Sequence, residues 1–278
     1  MKLPRLRTIL LAPVVLFVLL YLVGLVANQL IDEPAPPVVA DSRSPETIAI
    51  FGASGTAGDG ILKAALADPD VRRIHVITRR TTPRMEAGVA AGKVIVTTHT
   101  DYLDYAAIHE QIRNVDAVFW AIGISAWKVD EETYGRIHVD FPVRFVTEWL
   151  QASAKPDISF HYISSSDISE DASANWAREK VRAENSLFAL AEGTRLRVIA
   201  YRPDYIGPTA EEEQLGQTLL WGLFAPVGAA VRASQIGQAM LEVSARGDAF
   251  TTGEKLTTRS IKRYAEAATE RTGWAESH

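Results

Sequence analysis

The run Ile48-Ala49-Ile50-Phe51, followed at once by Gly52-Ala53-Ser54-Gly55-Thr56-Ala57-Gly58, constrains this chain more than any other stretch. A short apolar run ending at glycine reads as a buried strand. The glycines are spaced G-x-x-G-x-x-G, and Gly60-Ile61-Leu62-Lys63-Ala64-Ala65-Leu66-Ala67 then has helix-forming composition with an apolar face. Strand, glycine turn and helix in that order make a cradle for a dinucleotide pyrophosphate. The turn lets the ligand reach the backbone, and the helix start offers unpaired N–H groups and the positive end of its dipole. Gly52, Ser54, Gly55, Thr56 and Gly58 are the contacts this predicts. A lone glycine triplet is a common pattern, so the segments that follow decide its meaning.

Those segments alternate. Strand signals recur at 47–51, 73–78, 93–98, 115–122, 158–163 and 196–201, with helical stretches clearest at 59–67, 131–153 and 174–191. Near-continuous apolar runs fit strands buried on both faces. The expected fold is α/β: a Rossmann-like, doubly wound parallel sheet with helices on both faces, plus one N-terminal transmembrane helix.

That last element comes from residues 1–31. Lys2, Arg5 and Arg7 precede an uncharged run from Thr8 to Ile31 rich in Leu and Val. About 20 apolar residues span a bilayer, whereas a cleaved signal has a shorter apolar region of roughly 7–15 residues and a small-x-small site. Leu25-Val26-Ala27 fits such a site poorly, so an uncleaved anchor through residues 8–31 is expected. Asp32 and Glu33 follow the run, and the basic flank would keep the N-terminus cytoplasmic. A domain that needs a cytosolic nucleotide pulls the other way, so the side is left open. Residues 32–46, with Pro34, Pro36, Pro37 and Pro45, read as an extended linker. Residues 47–278 are the expected nucleotide-binding domain, with a substrate lobe from about 209.

Composition excludes several classes. The 278 residues are 47% hydrophobic, enough for one ordinary domain and an extra segment, and the net charge is −5 with no basic patch suited to nucleic acid. There is no cysteine, so disulfides, thiolate metal sites and cysteine nucleophiles are out. The six histidines show no paired metal-ligand spacing, and no metal is expected.

In NAD-selective sites an acidic residue about 20 positions past the glycines takes the ribose 2′-hydroxyl. Here that place holds Thr78, Arg79 and Arg80. A guanidinium suits a 2′-phosphate, so NADP(H) is favoured over NAD(H), against the simpler reading of a solvated charge pair. Asp101, after the third strand, could accept from the adenine amino group or cap a helix. Ala121-Ile122-Gly123 ends the fourth strand with small residues that would let a cofactor cross the sheet edge.

Ser164, Ser165 and Ser166 end the fifth strand, where ligands of open α/β sheets bind. They are placed to hydrogen-bond a substrate carbonyl, or else to form a turn. Trp176 and Lys180 lie four apart on a predicted helix and share a face. Tyr201-Arg202-Pro203-Asp204-Tyr205-Ile206-Gly207-Pro208 follows the next strand.

With these residues together, the chain from about Thr47 to Pro208 resembles the short-chain dehydrogenase/reductase superfamily, nearest its extended and atypical branch, which includes the Tat-interacting oxidoreductase-like proteins. The likeness rests on the three glycines, Arg79, Ala121-Ile122-Gly123, the serine run, Lys180, and Arg202-Pro203 with Gly207. It implies a catalytic Ser (Ser165 or Ser166) and Lys180, which also binds the nicotinamide ribose. It also implies a Tyr four residues before that Lys to pass a proton as hydride moves. Trp176 stands at that place, and indole cannot serve as a general acid. Tyr134, Tyr162 and Tyr205 are possible stand-ins.

Beyond Pro208, Glu211-Glu212-Glu213 precede the apolar run from Leu219 to Val227, which is too short to span a bilayer. Core is its first expectation, a pocket wall or a membrane-touching patch the others. Helices are expected at Ser234–Val243 and Ile261–Ala268. The functional expectation is a membrane-anchored NADP(H)-dependent oxidoreductase acting on an apolar or membrane-derived carbonyl compound. The alternatives are a non-catalytic NADP(H)-binding sensor or assembly factor, and an epimerase or dehydratase.

Overall fold

The structure, a computed structural model, describes residues 6–31, 33–37, 39, 42–212 and 214–276. Lys2, Arg5, Asp32 and Glu213 lie outside the described residues.

Helix α1 (Leu6–Leu30) comes first. Its stretch Pro13–Leu30 has a mean hydropathy of 2.1 and no buried residue, so it is long and apolar enough to cross a bilayer. The α/β part then runs β1 (Thr47–Phe51), α2 (Thr56–Ala67), β2 (Arg73–Thr78), α3 (Pro83–Ala90), β3 (Val94–Thr98), α4 (His109–Ile112) and β4 (Ala117–Trp120). After it come α5 (Glu131–Gly135), α6 (Phe141–Ala152), β5 (Ile158–Ile163), α7 (Asn175–Ala191), β6 (Leu196–Arg202) and β7 (Tyr205–Gly207). The chain ends with α8 (Leu215–Phe224), β8 (Ala230–Arg232), α9 (Ala233–Ala245), β9 (Glu254–Thr257) and α10 (Thr258–Thr272).

Seven strands form one sheet in the order β3-β2-β1-β4-β5-β6-β9, every pair parallel, and β7 and β8 form a separate parallel ribbon. This is the Rossmann-like sheet the alternation predicts. Successive side chains of one strand feed opposite cores. Ile48 and Ile50 pack with Phe119 on the side of α2 and α9, whereas Ala49 and Phe51 pack with Trp120 and Phe145 on the side of α6 and α7. Helices α2 and α9 meet closely, and a Cβ on Gly237 would lie 2.7 Å from Ile61 Cα. The C-terminal residues thus serve two places: β9 extends the sheet beside β6, and α8 stands at the β7–β8 ribbon.

Three expected boundaries shift. The fourth strand is 117–120 rather than 115–122, because Val115 N turns back to Ile112 O and only then does the chain enter the sheet. The third starts at Val94. The long helix 131–153 is interrupted by a π turn at Arg136–Asp140 before α6. Pro142 has no N–H to return to His138 O, and that carbonyl instead accepts the Tyr162 hydroxyl at 3.0 Å.

The apolar run from Leu219 to Val227 is not core. No residue of α8 is buried, and Leu215 is 87% and Leu219 77% exposed. One side of the helix is held, by Tyr205 stacked on Phe224 and by Arg232 over Trp221 at 3.9 Å, and the sheet cores are already filled by α2, α9 and α10. The other side has nothing left to pack against.

Candidate nucleotide and substrate site

Strand order reverses direction between β1 and β4, and ligands of open α/β sheets bind beyond the carboxyl ends at such a point. Gly52 and Ala121 follow those two strands side by side, with Ala121 N donating to Phe51 O at 2.9 Å. Gly52 has φ +83°, and a Cβ there would lie 2.7 Å from the Ala121 carbonyl carbon. A Cβ on Gly58 would overlap Gly52 O. The turn therefore folds back under the first turn of α2 only because no side chain is present at Gly52 and Gly58. Gly55 is the N-cap of α2, and no side chain caps that helix start. Ser54, Gly55 and Thr56 border the cavities on either side of the turn.

One cavity, of about 280 Å³, lies between the glycine turn and the end of β2. Arg79 and Arg80 both line it, with Thr78 and Tyr102, and Arg80 Nη2 donates to Ser54 O at 3.3 Å. Asp101 is exposed and does not line it. Its Oδ1 accepts from Leu103 N at 3.0 Å, so the carboxylate closes a local turn.

The larger cavity, about 920 Å³, lies on the other side. Ala121, Ile122 and Gly123 come to it from the end of β4, Ser164 and Ser165 from the end of β5, and Trp176 and Lys180 from α7. Tyr134, His138, Tyr205 and Leu220 also line it, as do Gly55 and Thr56 of the glycine turn. Ser166 is not among these residues. Its backbone N–H bonds Pro203 O at 3.2 Å, and it borders a separate cavity with Arg202 and Asp204.

Lys180 is buried, and its Nζ donates to Ile163 O at 2.9 Å and to the Tyr162 hydroxyl at 3.3 Å. Burial pushes its pKa down from 10.5 to about 7, with Glu184 working weakly against that. Glu184 itself lies at the bottom of α7's buried face and accepts Arg202 Nε at 2.9 Å, which ties α7 to the end of β6. Tyr162 is buried, and burial raises its phenol well above the ordinary range. It is thus a support for Lys180 rather than a cavity residue.

Two further groups reach the cavity that the sequence did not single out as catalytic. Ser164 Oγ is buried with no hydrogen-bond partner among the described residues, the usual mark of a group that awaits a ligand or water. His138 lies against Tyr134 with ring centroids 4.1 Å apart and planes tilted by 34°, while Nε2 meets the Ile124 backbone and Nδ1 is left without a partner among the described residues. Burial and Lys180 together lower the His138 pKa to about 3, so the ring is neutral. Burial also pushes the Tyr134 phenol up to about 12. Sequence could have offered one signal for Ser164: it is the first residue past a strand whose alternate side chains face this side.

Trp176 occupies the position one helical turn before Lys180 and lines the same cavity. Among the described residues there is no cluster of three or more His, Asp or Glu side chains fit to hold a metal. Hydroxyl, amine and imidazole groups thus gather in one cavity with the uncapped start of α2.

No family model matches the chain. Two curated fungal proteins are similar to part of it: the mitochondrial protein fmp52-1 of Aspergillus terreus, 28% identical over 171 residues, and the mitochondrial protein fmp52 of Emericella nidulans, 25% identical over 168 residues. Each alignment covers 60% of this chain and 70% of the relative. Solved structures share the fold at low identity. An NADPH-dependent 3-quinuclidinone reductase from Rhodotorula rubra has a TM-score of 0.59 at 14% identity, over 83% of this chain and 97% of its own. A short-chain dehydrogenase/reductase from Saccharomyces cerevisiae has a TM-score of 0.59 at 13% identity, over 77% and 96%. A 3-oxoacyl-[acyl-carrier protein] reductase from Brucella melitensis in complex with NAD has a TM-score of 0.57 at 18% identity, over 80% and 98%.

Proposed function

The chain has the fold of the short-chain dehydrogenase/reductase superfamily, and from that premise we propose that it is a membrane-anchored oxidoreductase that binds NADP(H) and acts on an apolar carbonyl compound. The observation that carries this reading is one cavity with the uncapped start of α2 on one wall and the unpartnered Ser164 hydroxyl and Lys180 on the other.

The residues divide the work. Gly52, Gly55 and Gly58 let the pyrophosphate approach, and Ser54 and Thr56 with the first N–H groups of α2 receive its charge. Ala121 and Gly123 leave room for the dinucleotide to cross the sheet edge. Arg79 and Arg80 favour a 2′-phosphate, since a guanidinium pairs with it through two parallel hydrogen bonds. When bound, the nicotinamide supplies or accepts the hydride. Lys180 binds the ribose hydroxyls, and Ser165, together with Ser164, orients the substrate oxygen. Trp176 cannot supply the proton, and of the tyrosines with a face on the cavity, Tyr134 and Tyr205 are the ones to test.

Residues 1–31 would be the anchor, 32–46 the linker and 47–278 the catalytic domain, with the lobe from about 209 contributing the cavity rim. The two fungal relatives are mitochondrial proteins by name, so a mitochondrial membrane is the first to examine.

Trp176 favours a second reading, a non-catalytic NADP(H)-binding sensor or assembly factor at a membrane. The purified chain in detergent separates the two. Oxidation of NADPH with some member of a broad panel of apolar aldehydes and ketones supports the enzyme. Tight NADPH binding without turnover over the whole panel supports the sensor.

A further inference from the structure

Helix α8 carries no charged residue, and three of its leucines, Leu215, Leu219 and Leu223, recur every four positions on its open side. Such spacing draws one apolar stripe along a helix. The opposite side is engaged by Tyr205 and Arg232, as described above. Between the two sides, Gln217 and Leu220 face the large cavity. A ten-residue helix is therefore the partition between the site and whatever covers the stripe.

The anchor identifies the occupant. The C-terminal end of α1 touches the loop that leaves α8: Asn28 Nδ2 donates to Pro226 O at 3.2 Å, and the backbone of Gly24 faces Val227. From Phe224 back to Leu219 is five residues, or about 8 Å of helix. A bilayer that contains Pro13–Leu30 has its surface just beyond Asn28, and the contact with Pro226 sets the C-terminal end of α8 close to that level. Resting on the proposed membrane anchor, we propose that α8 lies in the lipid surface that α1 enters, with Leu215, Leu219 and Leu223 in the acyl boundary and Leu220 turned into the cavity. The site then opens toward lipid, and its substrates are apolar molecules dissolved in the bilayer. Interfacial helices bury such a face by roughly 5–10 Å.

The chain has no cysteine, so a single substitution gives a unique labelling site. The full chain would be reconstituted in phosphatidylcholine vesicles with an environment-sensitive fluorophore at Leu219→Cys, Val18→Cys or Asp248→Cys, and quenched by doxyl-labelled phosphatidylcholine. Asp248 pairs with Arg197 at the amino end of the sheet, opposite the site, and serves as the aqueous reference. The proposal expects quenching at 219 by a shallow doxyl group at least about fivefold above that at 248, with a deep group quenching the label at 18. Quenching at 18 but not at 219 overturns the proposal and leaves the anchor intact. No quenching at 18 overturns the anchor, and the proposal falls with it. A label at 219 shielded from aqueous iodide yet insensitive to the doxyl lipid means that a second copy or another protein covers the stripe, which also overturns it.

Discussion

Lys180 Nζ sits 3.3 Å from the hydroxyl of Tyr162, and that hydroxyl donates in turn to His138 O. The chain of contacts fixes the amine at the cavity floor, and its burial has a thermodynamic consequence. The folded-state pKa is lowered to about 7 from 10.5, so between those values the unfolded chain holds a proton that the folded chain does not. Stability therefore rises with pH across that window, by at most about 1.4 kcal/mol per pH unit, and below about pH 7 the cost is fully present. Thermal midpoints of the chain should increase from pH 7 toward 10, and Lys180→Met should flatten that rise. A wild-type profile that is flat or falls over the window would contradict a buried Lys180 amine that loses its proton on folding.

The proposed preference for NADP(H) rests on Arg79 and Arg80, which line the cavity at the end of β2. Arg79→Ala should weaken NADPH binding by about 10- to 100-fold, equivalent to roughly 1.4–2.8 kcal/mol, with NADH affinity changed less than about twofold. Equal losses for both nucleotides would mean that the guanidinium holds the shared diphosphate or the fold, not the 2′-phosphate. Tryptophan or cofactor fluorescence titration reads both constants.

Trp176 lines the cavity one turn before Lys180, where the resemblance to short-chain dehydrogenases implies a proton-donating Tyr. Trp176→Tyr restores an ionisable hydroxyl beside the lysine. If the native chain is an enzyme that draws its proton from Tyr134 or Tyr205, the variant changes NADPH oxidation only a few-fold, and Tyr134→Phe or Tyr205→Phe in the native background lowers it by at least about 100-fold, in line with loss of a general acid. Reductase activity that exists only in Trp176→Tyr would support the sensor.

Glu184 is buried and holds Arg202 through two hydrogen bonds. Removing one partner of such a pair strands a charge, at a cost of about 3–5 kcal/mol. Glu184→Leu should lower the melting temperature markedly, while a change at Asp101, whose carboxylate only closes a surface turn, should move it little. A near-neutral Glu184→Leu would show that Arg202 reaches solvent when freed.

The parallel sheet was legible because each strand is an apolar run, and because such runs are buried on both faces in α/β folds. The glycine turn was legible because Gly52 and Gly58 meet backbone that no side chain could approach. The π turn was not, since Pro142 disturbs hydrogen bonding four residues upstream while the apolar period continues. Ser164 does not stand out from Ser165 and Ser166 in the sequence, because the three serines look alike there and only the structure shows that Ser164 alone of them is buried, with its hydroxyl unpartnered. The exposure of α8 was also hidden: Leu219 to Phe224 has the composition of a core helix, and only its neighbours determine that it has no core to enter.

The turn from Gly52 to Gly58 is proposed to hold the nucleotide on which every other role depends. Gly55 is the position to test it, because its φ is −102° and an added Cβ there meets Gly52 O only at 3.5 Å, so a side chain fits without disturbing the fold. Calorimetric titration of the full chain in detergent with NADPH, beside Gly55→Asp, tests it directly. One site per chain is expected, tighter for NADPH than for NADH, with binding weakened by at least about 100-fold in a variant whose melting temperature is nearly unchanged. Undiminished NADPH affinity in Gly55→Asp would contradict the account.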